Sequence, residues 1–119
     1  MRNFILLNAI LEITVGILMV LAPELIPGMD ASDPMAITLA RMYGAAAIAI
    51  GFYAYKRWKA MPNPLAIKSF FSVLSIFHIG VANAAFWGYS SGIPDFLAIS
   101  ILHLVLFMGS VYFMLKKTS

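Results

Sequence analysis

Residues 35–55 read MAITLARMYGAAAIAIGFYAY, an apolar run interrupted by one charge, Arg41. At about 1.5 Å of rise per residue this run makes a helix roughly 31 Å long, close to the ~30 Å hydrocarbon core of a bilayer. A guanidinium at that depth costs between about 2.5 and more than 10 kcal/mol unless it is paired, hydrated or turned into protein. Arg41 therefore directs attention to the polar residues of the other apolar stretches, where a partner is expected.

The composition fits the same environment. Of 119 residues, 62% are hydrophobic and 11% charged, and the mean hydropathy is +0.92. An ordinary soluble domain carries about 25% charged residues. The formal net charge is +3 and the pI is near 9.4. The basic residues cluster at the ends of apolar runs, where they set topology, so nucleic acid is excluded as a partner and the lipid bilayer is expected. There is no cysteine, which rules out a disulfide, a thiolate metal site, an iron–sulfur cluster and a cysteine nucleophile.

Three further runs have spanning length, giving spans at approximately 3–22, 35–55, 65–87 and 95–115 within a single integral membrane domain, 1–119. The predicted fold is all-α: a left-handed four-helix transmembrane bundle, up-down-up-down. The first run, with FILLNAILEITVGILMVLA at its core, could pass for a secretory signal after Arg2. Its length, its central Glu12 and the Pro23-Glu24 that ends it instead predict a retained span. The connection PELIPGMDASDP reads as a loop, Lys56-Arg57-Trp58-Lys59 with Pro62-Asn63-Pro64 as a basic turn, and 88–94 as a short turn without basic residues. All six prolines fall in connections, as helix hydrogen bonding requires.

Arg2, Lys56, Arg57, Lys59, Lys68, Lys116 and Lys117, seven of the eight basic residues, share one face with both termini, while Glu24, Asp30, Asp33 and Asp95 share the other. The positive-inside rule then predicts an inner-membrane protein with both termini in the cytoplasm. Tyr53, Tyr55, Trp58 and Tyr112 on one side, and Trp87 and Tyr89 on the other, form the expected aromatic belts.

What remains inside the spans is one ionisable group per helix. Measured from the cytoplasmic ends, Glu12 should lie roughly 13 Å deep, His103 roughly 18 Å, His78 roughly 20 Å and Arg41 roughly 21 Å. Short connections make neighbours of the first and second spans and of the third and fourth, so Glu12 with Arg41 and His78 with His103 are the expected pairs, all directed inward. Asn8, Tyr43 and Asn83 are further candidates for an intramembrane pocket or relay, and no metal site is expected. Asn8, Glu12 and Gly16 make one helical stripe, Ser75, His78 and Ala82 another, and Ser100, His103 and Phe107 a third. Small residues Gly16, Gly44, Gly51, Gly80 and Ala84, with Ala40, Ala47 and Gly88, mark expected close helix contacts. Two structural readings stand beside the functional ones: Glu12–Arg41 as an ion pair in register, and the histidines as hydrogen-bonding glue to Ser75, Ser100 or backbone carbonyls.

Three features together resemble a known group: Gly16 to Pro23 as G-x-L-x-x-x-x-P, the block Ala40-Arg41-Met42-Tyr43-Gly44 with Gly51 beyond it, and a histidine in the last helix. They resemble the small bacterial four-helix membrane proteins of the DoxX-like and related tetraspan families. That resemblance implies a four-helix integral membrane fold, and DoxX's own similarity to a subunit of a quinone-linked oxidoreductase implies a quinone or lipid pocket. It assigns no catalytic residue here. Glu12 in Ala9-Ile10-Leu11-Glu12 also looks like the first-helix glutamate of small multidrug-resistance exporters, but the single charge orientation and Arg41, which would repel a cationic drug, argue against that family.

The expected function is that of a binding or accessory protein, rather than an enzyme, with an intramembrane polar pocket for a lipid or quinone-like molecule. A proton-coupled transporter using Glu12 and the two histidines is one alternative. A membrane enzyme is another: an isomerase, or a haem b oxidoreductase ligated by His78 and His103, with a metal held by those two and Glu12 as a variant. Small-residue faces left over could serve a homodimer.

Overall fold

The computed structural model describes residues 1–60 and 64–116, leaving the side chain of Pro64 aside. Among them the architecture is all-α, with four long helices and no strand, as the apolar runs predict. Helix α1 spans Arg2–Leu21, α2 Pro34–Ala60, α3 Pro64–Ser90 and α4 Phe96–Leu115. All four are long and apolar enough to cross a membrane. Large side chains including Leu21, Met35, Ile76, Trp87, Val105 and Leu115 are exposed along them. Such a surface would aggregate in water and is required in lipid. The chain is a multi-pass membrane protein.

Pro34 and Pro64 each occupy the first position of a helix, where a missing N–H is harmless. The loop before α2 contains a 3-10 turn, Pro23–Leu25. Near its end Asp33 accepts a hydrogen bond from the Met35 backbone N–H at 2.8 Å, which caps α2. Asp30 accepts two more from Ser32, from its hydroxyl at 2.6 Å and its backbone N–H at 2.8 Å. These bonds, the hydroxyl's first, hold the Asp30 carboxyl below the usual carboxylate range.

One expectation is corrected at the far end of α2. Lys56 to Lys59 form no turn; the helix continues to Ala60, and each cation lies over an aromatic ring. Lys56 sits 5.2 Å from the Phe52 ring centroid, Arg57 5.0 Å from Tyr53 and Lys59 5.3 Å from Tyr55. Arg2 lies 5.3 Å from the Trp58 ring, and Trp58 stacks on Tyr55. A helix rather than a turn lets i, i+4 spacing bring each charge onto a ring one turn away. Pro62 and Asn63 of that expected turn lie outside the described residues, as do Lys117, Thr118 and Ser119.

The chain divides into two compact units, Arg2–Lys59 and Ala60–Ser119. In the first, α1 and α2 run antiparallel and approach backbone to backbone. A Cβ built on Gly16 would fall 2.7 Å from the Gly44 carbonyl oxygen, and one on Gly51 2.8 Å from the Ile13 nitrogen. The buried positions of α2 are Ala40, Gly44, Ala47, Gly51 and Ala54, a stripe of small residues. The buried positions of α1 are Ile5, Asn8, Ala9, Glu12 and Gly16.

In the second unit, α3 and α4 form an antiparallel hairpin whose turn is closed by Gly92 at φ 100°, a conformation that favours glycine. Phe71 packs edge-on against Phe70 and stacks on Phe113 at 5.6 Å. The Ser72 hydroxyl donates to the Met114 sulfur at 3.2 Å. At the turn end Gly88 lies so close to the Phe96 ring that a Cβ there would sit 2.0 Å from it.

Candidate functional site

Several polar residues of each unit lie on its buried stripes. In the first unit, Asn8 and Glu12 occupy neighbouring turns of α1 and are both buried. The Asn8 amide donates to the Phe4 carbonyl at 2.9 Å, inside its own helix. Across the hairpin, the electrostatic neighbour of Glu12 is half-buried Tyr43.

Arg41 is not brought to this site, which corrects the expected Glu12–Arg41 pair and its inward direction. Arg41 is exposed, and among the described residues it makes no ion pair. The reason is angular. The stripe from Ala40 to Ala54 defines the packed face of α2, and at about 100° per residue Arg41 projects roughly 100° from its centre, whereas Tyr43 projects about 60° to the other side. Asn83 is likewise exposed.

The glycines separate in the same way. Gly16, Gly44 and Gly51 are buried in the α1–α2 seam. Gly80 and Ala84 are exposed, and a Cβ on Gly80 would meet nothing within 4 Å, so the expected packing role of these two is corrected. The close face of α3 is the one carrying Ala82 and Ala85, which are buried.

The second unit carries the most specific arrangement in the chain. His78 on α3 and His103 on α4 meet Nδ1 to Nδ1 at 3.0 Å, both rings buried. Their centroids are 5.1 Å apart and the planes cross at 47°. Phe77 presents a T-shaped contact to each, at 5.3 Å and 6.3 Å. No sequence signal singles out Phe77 beyond its adjacency to His78. The serines do not serve the imidazoles, as one sequence reading had them. Ser75 donates to the Phe71 carbonyl and Ser110 to that of Leu106, while Ser100 reaches across the hairpin to the Ala82 carbonyl at 2.9 Å. On α4 the buried stripe is Ser100, His103, Leu106 and Ser110, with Leu106 in place of the expected Phe107.

The chemistry of the pair follows from its contact. Of two neutral imidazoles joined through Nδ1, one carries its proton there and donates, and the other accepts there and carries its proton on Nε2. The pair thus offers a donor at one outer edge and a lone pair at the other. His78 has further partners within the protein. His103 Nε2 has no hydrogen-bond partner among the described residues. It can donate to a carbonyl or accept from a hydroxyl, according to the tautomer. The same contact does not fit bis-histidine haem ligation. Axial imidazoles bind from opposite sides of a porphyrin plane, and two nitrogens already in hydrogen-bond contact leave no space for it. Comparisons with protein families, with characterised proteins and with solved structures found no match to this chain.

Proposed function

We propose that this multi-pass membrane protein is a binding or accessory protein that takes the polar end of a lipid or quinone-like molecule at the His103 edge of its histidine pair. The observation that carries this reading is the buried 3.0 Å contact between His78 and His103, which commits the two Nδ1 atoms to each other and leaves the His103 Nε2 edge for a ligand. A buried imidazole nitrogen gains much from one neutral polar partner, which favours a carbonyl or hydroxyl as its ligand. The Phe77 ring beside both imidazoles adds an apolar wall suited to a ring or chain. The resemblance of the Ala40 to Gly44 block to DoxX-like proteins belongs to the same proposal, as does an inner-membrane location with both termini cytoplasmic, supported by the one-sided basic residues.

The test is mass spectrometry of the organic extract of detergent-purified protein. An isoprenoid quinone or a defined lipid should accompany the wild type in near-stoichiometric amount and be lost from His103→Phe, while His103→Gln, which keeps a polar edge, retains part of it. Equal extracts from all three would refute the assignment. A second reading, proton-coupled transport, is favoured by the buried Glu12 carboxylate in α1. It requires substrate-dependent proton movement in proteoliposomes that disappears in Glu12→Gln, which a binding protein does not show.

A further inference from the structure

The residue left over by this site is Arg41, a cation on the exposed face of a membrane-spanning helix. None of the five acids pairs with it among the described residues: Glu24 and Asp95 make no ion pair with Arg41, and the other three are engaged elsewhere. Glu12 is buried on the packed side of the hairpin, the Asp33 carboxylate caps α2 through Met35, and the Asp30 carboxylate takes both bonds from Ser32. Among the described residues Arg41 has no ion pair.

Its position along α2 explains how a charge can remain there. Arg41 lies about 10 Å along the helix from Pro34. The charge-free stretch from there to Lys56, residues 42–55, rises only roughly 21 Å, some 9 Å short of a hydrocarbon core of about 30 Å. Shared between the two ends, the deficit is about the reach of an extended arginine on one side and a lysine on the other. Arg41 and the cations at Lys56 to Lys59 thus bracket a short apolar span, one at each interface. At the Lys56 end the charges rest on Phe52, Tyr53 and Tyr55; at the Arg41 end no ring contact occupies the guanidinium among the described residues.

We propose that Arg41 is a lipid anchor: its guanidinium extends along the exposed face of α2 to the headgroup layer at the end where that helix begins, and there binds the phosphate of a phospholipid. Phosphate is the anion that layer supplies in quantity, and the planar guanidinium can grip two of its oxygens at once. A second copy of the chain fits this face less well. Thr38, Leu39, Met42 and Ala45, the exposed neighbours of Arg41, include no acid, and a two-fold contact through them would bring two guanidiniums together.

Two measurements test the anchor. In native mass spectrometry of detergent-purified protein, palmitoyl-oleoyl phosphatidylglycerol should be retained about tenfold less by Arg41→Gln than by the wild type, with Arg41→Lys between them. A galactosyl diacylglycerol of the same acyl chains, which lacks phosphate, should be retained equally by all three. Equal phosphatidylglycerol retention, or a parallel loss of the galactolipid, overturns the proposal. The second measurement leaves Arg41 intact. The chain has three arginines, so in Arg2→Lys/Arg57→Lys a guanidinium carbon label reports on Arg41 alone. In phosphatidylglycerol bilayers its solid-state signal should be dephased by lipid phosphorus. Absence of dephasing, or a cross-linked dimer that Arg41→Gln abolishes, overturns it as well.

Discussion

The α1–α2 seam makes a quantitative demand on two glycines. A methyl group added at Gly16 would lie 2.7 Å from the Gly44 carbonyl oxygen, 2.7 Å from Ile48 Cγ1 and 2.9 Å from the Ile48 nitrogen. Two of those three atoms are backbone, so no rotamer change relieves the contact. Ordinary contact begins near 3.4 Å. The helices must then separate locally by ~0.7 Å, and overpacking of this kind costs about 1–3 kcal/mol. Alanine's better helix propensity returns about 1 kcal/mol, so Gly16→Ala should lose about 2 kcal/mol net when the contact is fully felt. Gly44→Ala meets the Gly16 carbonyl and the Met19 Cβ, both at 2.8 Å, and should lose a similar amount. Together they should cost clearly less than the sum, because the first methyl has already opened the seam for the second. Gly80→Ala is the internal control: with nothing within 4 Å it keeps only the propensity gain and should be neutral or stabilising by up to about 1 kcal/mol. The assay is unfolding in mixed micelles by SDS titration, followed by tryptophan fluorescence from Trp58 and Trp87 and converted to free energies. If Gly16→Ala and Gly80→Ala agree within about half a kcal/mol, the close backbone approach is wrong.

Two further outcomes follow from where the charges lie. In a double-mutant cycle, Glu12→Gln and Arg41→Gln should be additive within about 0.5 kcal/mol, whereas Glu12→Gln and Tyr43→Phe should couple by more than that; the reverse ranking in thermal unfolding would restore the ion pair. For the proposed topology, Ser32→Cys in right-side-out cells should react with an impermeant maleimide from outside, and labelling of that position only from the cytoplasmic side would invert the assignment.

The fold was legible because its signals are coarse and redundant: run length, proline placement and charge bias all report the same four segments, and none depends on which way a side chain faces. The site was legible only where facing could be deduced. Asn8, Glu12 and Gly16 recur every fourth residue and do share the buried face of α1. On α2, Arg41 and Tyr43 flank the small-residue stripe on opposite sides, and the stripe itself does not say which flank turns toward α1. Gly80 with Ala84 and Gly16 with the α2 glycines look alike as small-residue spacing, yet only the second set is packed, because in an apolar environment small residues also occur where nothing approaches.

The histidine pair shows what depth arithmetic can and cannot supply. Equal depth on adjacent antiparallel helices brought His78 and His103 together in expectation, and the antiparallel register of α3 and α4, fixed also by Ser100 at Ala82 and by Phe71 at Phe113, does place them in contact. Depth alone left open whether they face each other, the serines or a metal-bearing cofactor. The Nδ1 contact shows that the two rings face each other; it commits one nitrogen of each ring to the other and leaves further chemistry to the Nε2 edges. An intramembrane imidazole pair that needed only to hold two helices would be satisfied with both edges sealed inside the protein. His103 Nε2 has no hydrogen bond among the described residues, and in a chain otherwise so thorough about bonding its buried serines that edge is where a ligand should be sought.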